Sequence, residues 1–217
     1  MARVKNPILG SYSGRMGNIV YRVINGNTYV SVRPLKYKPS KSPAAKRVKN
    51  NFSAVVNLAR SVNAVPALKN VWKTSEVEGY SPYHKLIRNN IALISEGNLT
   101  TENIITPEGL DLELSSLSVL KNNLNAGFTF QENANVKFPL ELHGFFYFKD
   151  YNKRILSFIE KINEPEPNGV YNLSIPLNPY ITKGLKEDPH PLVYLAVAGS
   201  VPPKKKIYWS GTAARQL

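Results

Sequence analysis

Three regimes of hydrophobic patterning follow one another along the chain. Residues 18–33 alternate with period two about an Asn-Gly pair, residues 43–95 repeat apolar positions at three- and four-residue steps, and from about residue 104 period two returns in short runs. The first regime predicts a tight hairpin, because Asn25-Gly26 suits a two-residue turn that needs positive φ at both positions. Counting back from the turn pairs Val23 with Thr28, Tyr21 with Val30 and Ile19 with Val32 on an apolar face. Ile24 with Asn27, Arg22 with Tyr29, Val20 with Ser31 and Asn18 with Arg33 make a mixed, basic face. The second regime predicts three helices. Ser42-Pro43 and Ser81-Pro82 are cap-and-proline starts for helices to about Ala64 and Ser95, and Pro66 opens a short one to about Thr74. Val48, Phe52, Val55, Ala59 and Val62 form the expected buried stripe of the first.

The third regime predicts strands at Leu110–Leu117, Gly127–Gln131, Leu140–Lys149, Ile155–Ile162, Gly169–Ile175, Leu192–Ala198 and Lys205–Ser210, separated by turn-rich segments such as "KNNLNA" and "KDYNK". About seven such strands read as an antiparallel immunoglobulin-like sandwich, without the cysteine pair or strand tryptophan of a true immunoglobulin. The expected class is α+β: a basic hairpin and about three helices over residues 1–100, then a β-sandwich domain over 101–217.

Composition narrows the class only a little. With 42% hydrophobic and 10% aromatic residues among 217, the chain has ample material for a core. The absence of cysteine excludes disulfides and thiolate metal sites. Residues 1–20 lack the apolar stretch of a secretory signal, and runs such as "LVYLAVAG" are far short of a membrane span. A cytoplasmic or virion location without membrane contact is therefore expected.

Charge changes the picture more. The net charge is +13, yet residues 1–75 hold 14 basic residues and no acid, while residues 76–217 hold 14 basic and 15 acidic residues. A segment so one-sided repels itself unless something anionic neutralises it. Arg15, Arg22, Arg33, Lys36, Lys38, Lys41, Lys46, Arg47 and Lys49 are the candidate contacts for nucleic acid or an anionic protein partner. Gly14 and Gly17, in "GSYSGRMGN", are a candidate anion nest, although no Gly-Lys-Ser/Thr follows to make a P-loop. Lys41, Lys46, Arg47 and Lys49 crowd the start of the first helix, where the macrodipole favours acids; a cation-rich helix start is what an anion site would present. Tyr12, Tyr21, Tyr29 and Tyr37 lie among these cations, as aromatic residues that stack on bases do.

Evidence for chemistry is thin. His84, His143 and His190 are the histidines, none has a second ligand at metal spacing, and neither H-E-x-x-H nor G-x-S-x-G occurs. Glu164 and Glu166 alternate with prolines in a turn, and Lys204–Lys206 suit the protection of a sheet edge. No enzyme activity and no cofactor is expected.

The stretch "ILGSYSGRMGNIVYRVINGNTYVSVRP" resembles the opening of a family of Bacteroidota proteins, a domain of unknown function. Gly14, Arg15, Gly17, Asn18 and Val20 carry the likeness, and "VYNLSIP", "VYLAVAG" and "YWSG" extend it in outline; "SVRPLKYK" departs from it. The resemblance implies the glycine-rich hairpin, helices and C-terminal sandwich already read from the residues, and assigns no activity. The function expected from the charge distribution is a structural subunit of a large particle, a phage virion or comparable assembly. Its basic N-terminal region would contact neighbouring subunits, its own or others, or nucleic acid. The alternative is a sequence-nonspecific RNA- or DNA-binding protein of a ribonucleoprotein or nucleoid.

Overall fold

The computed structural model describes residues 2–4, 13–33, 36, 40–130, 140–162, 170–201 and 206–217. It divides into two compact units, Met1–Ser42 and Pro43–Leu217. The first is an antiparallel sheet of β1 (Ala2–Val4), β2 (Gly14–Met16), β3 (Ile19–Ile24) and β4 (Asn27–Val32) in the order β1-β4-β3-β2. The β3–β4 pairs are those the turn dictates, from Ile24 with Asn27 to Ile19 with Val32, and Asn25 and Gly26 both adopt positive φ.

The second unit begins with α1 (Pro43–Asn63), α2 (Pro66–Thr74) and α3 (Pro82–Asn90), the last ending in a 3-10 turn over Ile91–Leu93. Ser81 caps α3 by accepting from the His84 amide, with Pro82 behind it. The helix stops short of the expected Ser95 because Asn90 is buried and spends its side chain on the backbone. Its Nδ2 donates to the carbonyls of Leu86 and Ile104, and its Oδ1 accepts from the Ile104 amide at 2.8 Å and from Asn103 Nδ2. The connector held in this way is also tied to the far end of the chain, where Thr212 Oγ1 accepts from the amides of Ile105 and Thr106.

Strands follow: β5 (Leu112–Leu120), β6 (Asn123–Phe130), β7 (Leu140–Phe148), β8 (Arg154–Ile162) and β9 (Tyr171–Pro176), then α4 (Pro179–Glu187), β10 (Leu192–Val201), β11 (Lys206–Trp209) and β12 (Ala213–Gln216). One sheet runs β5-β6-β9 and the other β11-β10-β7-β8. Leu192–Leu195 of β10 also pair with β12, so β11 and β12 share one edge of β10 end to end. All these pairings are antiparallel, and the class is α+β.

The central strands β7 and β10 are buried on both faces. Leu142, Phe146, Val193 and Leu195 point into a core shared with β6, β9 and α4, whereas Phe145, Tyr147, Tyr194 and Ala196 pack with Leu58, Val62, Leu68 and Trp72 of the helices. Each fully buried aromatic or aliphatic side chain in these layers is worth about 1.5–3 kcal/mol of transfer free energy. The change of pattern near residue 100 is thus a change from helix to strand inside one compact unit; the division between units falls instead at Ser42/Pro43. Four elements were not anticipated: β1 and β2 of the first unit, and α4 and β12 of the second. α4 carries the same signature as α3, with Asn178 accepting from the Ile181 amide at 2.9 Å before Pro179.

Candidate anionic-partner surface

Directly paired residues of an antiparallel sheet share a face, so the register assigns the cations of the first unit. Arg22 stands opposite Tyr29, which in turn stands opposite Arg3 of β1; Arg15 stands opposite Val20, and the Arg33 amide donates to the Asn18 carbonyl. Arg15, Arg22 and Arg33 therefore lie on one face around half-buried Tyr29, and all three are exposed. Arg22 and Tyr29 are neighbours, but the arginine–ring stack among the described residues is Arg154 over Tyr151, at 4.7 Å. Gly14 opens β2 opposite Tyr21, and Gly17 occupies the β2–β3 turn at φ 60°, its carbonyl taken by Arg15 Nε at 2.6 Å. A nest needs successive amides turned toward one point. The two glycines stand instead at the two ends of a three-residue strand.

The opposite, apolar face of the sheet is incompletely covered: Met16 is 59% and Val32 69% exposed. Thr28 is buried there, and its Oγ1 has no hydrogen-bond partner among the described residues.

Lys36 and Lys41 are exposed, and Lys38 lies outside the described residues. On α1, Lys46, Arg47 and Lys49 are all exposed, and the first turn holds no acid. The expected buried stripe of this helix is buried only from its middle onward. Val55, Leu58, Ala59 and Val62 are in the core, but Val48 is 67% and Phe52 53% exposed. The reason is geometric. Asn51 Oδ1 accepts from the Gly97 amide and Asn50 packs on the same glycine, and the buried side chains of α1 begin only at Ala54. Residues 43–49 extend the helix by about 10 Å beyond that contact. The signal for this was in the sequence: Lys46, Arg47 and Lys49 sit in the same turns as Val48, an arrangement that suits a surface rather than a core.

No ion pair neutralises these cations among the described residues; the acid–base contacts are Glu78 with Arg88 at 2.7 Å and Glu141 with His143 at 3.5 Å, both in the second unit.

The remaining titratable groups are dispersed. His84 Nδ1 meets Ser81 Oγ at 2.8 Å, and His190 Nδ1 meets the Leu217 carbonyl at 3.0 Å. Buried Asp188 accepts from the amides of Asp150 and His190, so the "EDPHP" loop uses its carboxylate to hold backbone. His143 is fully buried on β7, and burial alone lowers its pKa to about 4. Burial likewise pushes Tyr147 up to about 12, while its hydroxyl donates to Asn98 Oδ1. Lys85 is buried and its Nζ donates to the Ser75 carbonyl at 2.6 Å, a structural use of the charge. Among the described residues no three His, Asp or Glu side chains come together as metal ligands, and no helix is long and apolar enough to cross a membrane. Compared with known proteins, the chain matches no family model and no curated protein.

Proposed function

We propose that the protein is a non-enzymatic assembly subunit of a large particle, a virion or comparable structure, whose basic N-terminal region docks on neighbouring subunits. The observation that carries this reading is the exposure of Val48 and Phe52 within a turn or two of Lys46, Arg47 and Lys49. Phosphate contacts need cations and polar donors. Apolar side chains displayed among cations fit the core and rim of a protein interface. The sheet of the first unit also leaves Met16 and Val32 exposed, on the face opposite its arginines.

The strand orders support reading the second unit as an immunoglobulin-like module. The sheets β5-β6-β9 and β8-β7-β10-β11 match the first, second and fifth strands against the third, fourth, sixth and seventh. In the constant-type arrangement the fourth strand joins the first sheet; here β8 stays beside β7. Such modules present loops at both ends and serve as connectors.

A second reading, nonspecific binding of RNA or DNA, draws on the single face that gathers Arg15, Arg22 and Arg33 around Tyr29. With six to eight phosphate contacts, affinity would fall about 10³-fold or more between 50 and 200 mM salt. Native extraction at low salt, followed by size exclusion with light scattering and the 260/280 nm ratio, separates the two. A large, nuclease-resistant species free of nucleic acid is expected; a monomer carrying nuclease-sensitive material would replace the first reading by the second.

A further inference from the structure

The overhang of α1 has a counterpart on the same unit. A cleft of about 640 Å³ opens between the end of α2, α3 and β11. Buried or half-buried Val77, Ile104, Pro107 and Trp209 form its floor, and exposed Glu76 and Glu108 stand at its rim. The indole Nε1 of Trp209 donates to the Glu108 carbonyl at 2.9 Å, which fixes the ring against the rim. Neither carboxylate has an ion-pair partner among the described residues. The cleft belongs to the acid-rich stretch of the chain, since residues 76–120 carry seven acids against Lys85 and Arg88.

The overhang is its complement in every respect. At 3.6 residues per turn, Val48 and Phe52 lie along one stripe, and Arg47 and Lys49 fall on either side of it. Two exposed apolar side chains flanked by cations thus face outward on one part of the unit, and an apolar floor flanked by carboxylates opens on another. None of the overhang residues lines the cleft, so among the described residues the stripe does not fill the cleft of its own copy. We propose that the Val48–Phe52 stripe of one copy docks in the Glu76–Glu108–Trp209 cleft of a second copy, head to tail. This rests on the assembly reading above and names the partner as the chain itself. Phe52 gains an aromatic neighbour in Trp209, and offset or edge contacts between such rings add to the burial. Arg47 and Lys49 meet the two carboxylates as a rim, which sets orientation and association rate more than affinity. Because stripe and cleft are different surfaces, the contact is heterologous: it propagates into a ring or an open chain.

Heterologous contacts have a diagnostic behaviour in mixtures. The stripe variant combines Val48→Ser with Phe52→Ser; the cleft variant combines Glu76→Lys with Glu108→Lys. All four positions are exposed, so both variants should match the circular dichroism and melting temperature of the wild type. In sedimentation velocity at about 50 mM salt, the full-length wild type should grow with concentration beyond a dimer, and each variant alone should associate at least tenfold more weakly. An equimolar mixture should give a one-to-one dimer that grows no further, because one good stripe and one good cleft remain between the two proteins. A charge exchange checks the pairing independently: Arg47→Glu with Lys49→Glu should fail alone and recover with the cleft variant. A wild type that is monomeric at every concentration overturns the self-docking, as does a stripe variant that assembles like the wild type or a mixture that stays monomeric. These outcomes leave the assembly reading standing if the natively extracted species is still large, and a partner-free monomer there defeats both.

Discussion

Acid should unfold this protein earlier than its carboxylates alone would dictate, and His143 is the reason. Its ring is fully buried on β7 between Ala196 and Ile159 of the flanking strands, and neither nitrogen has a hydrogen-bond partner among the described residues. The nearest acid is Glu141 on the same strand, 3.5 Å from Nε2; its side chain is 41% exposed, so its field is screened. Burial therefore dominates, and the pKa falls from 6.5 to about 4. Above pH 6.5 the ring is neutral folded and unfolded, and it adds no pH dependence. Between 6.5 and 4 the unfolded chain takes up a proton that the folded one refuses, so stability falls as the pH falls. The depression of about 2.5 units corresponds to about 3 kcal/mol once the pH is below 4, and about 2 kcal/mol is already lost at pH 5. That is a large share of the usual 5–15 kcal/mol of a domain.

The measurement is denaturant unfolding of the wild type and of His143→Leu at half-unit steps from pH 7.5 to 4.5. Leucine is close in volume and removes two unpaired polar atoms, so the variant should be at least as stable at pH 7. The difference between the two proteins cancels the carboxylates common to both. It should be flat above pH 7 and widen by about 2 kcal/mol toward pH 5, with the wild type the loser. A flat difference would mean that the ring is hydrated. A difference of opposite sign, with the wild type gaining below pH 6.5, would mean that Glu141 holds an imidazolium and that the desolvation argument is wrong.

Three further expectations are simpler. Gly144 faces Phe158 across the β7–β8 pair, and a Cβ there would stand 2.0 Å from the Phe158 ring, so Gly144→Ala should cost about 1–3 kcal/mol; combining it with Phe158→Leu should recover part of the loss in a double-mutant cycle. Asn90→Ala removes four hydrogen bonds from a buried site and leaves the Ile104 amide unpaired, which should lower stability by about 2–4 kcal/mol by denaturant midpoint. Amides of residues 46–49 should exchange orders of magnitude faster than those of 55–62 in dilute solution and become protected in the assembled state; equal protection in both would show that the overhang needs no partner.

What the sequence revealed depended on whether the deciding interaction was local. The hairpin register followed from Asn25-Gly26, because two positive φ values fix a two-residue turn and every pair beyond it. The start of α3 followed from its Ser-Pro pair, and Asn178-Pro179 offered the same evidence for α4 in a stretch read as loop. The end of α3 was not legible, since Asn90 is held there by the backbone of Ile104 and the side chain of Asn103. Nor was β12, whose reason is a vacant half-edge of β10. The apolar runs "LELHGFFYF" and "LVYLAVAG" did carry a clue. Strands without polar alternation are covered on both faces, which already required the helices and the sandwich to share β7 and β10. In the candidate site the arginines of one face were legible from period two, while Val48 and Phe52 were assigned to a core that ends one turn too soon to hold them.

The overhang of α1 is hard to account for within one copy. Residues 43–50 contribute no buried side chain, although helices in proteins draw most of their stability from packing, and three cations near a helix N-terminus oppose its dipole by a few tenths of a kcal/mol each. Truncating the helix at Asn50 would sacrifice no buried side chain, because the core stripe begins at Ala54. A solvated helix end would also have no use for valine and phenylalanine on the same stripe, where glutamate has the higher helix propensity and suits the dipole. Each of these costs changes sign once an acidic, apolar-floored surface covers the overhang. The dipole and the cations then face carboxylates, the stripe is buried, and the helix gains the support that its own core does not supply. The acids of residues 76–120, segregated in sequence from the acid-free front, provide such a surface in the same molecule, and this is why the pairing of unlike faces on successive copies explains both halves of the charge pattern at once.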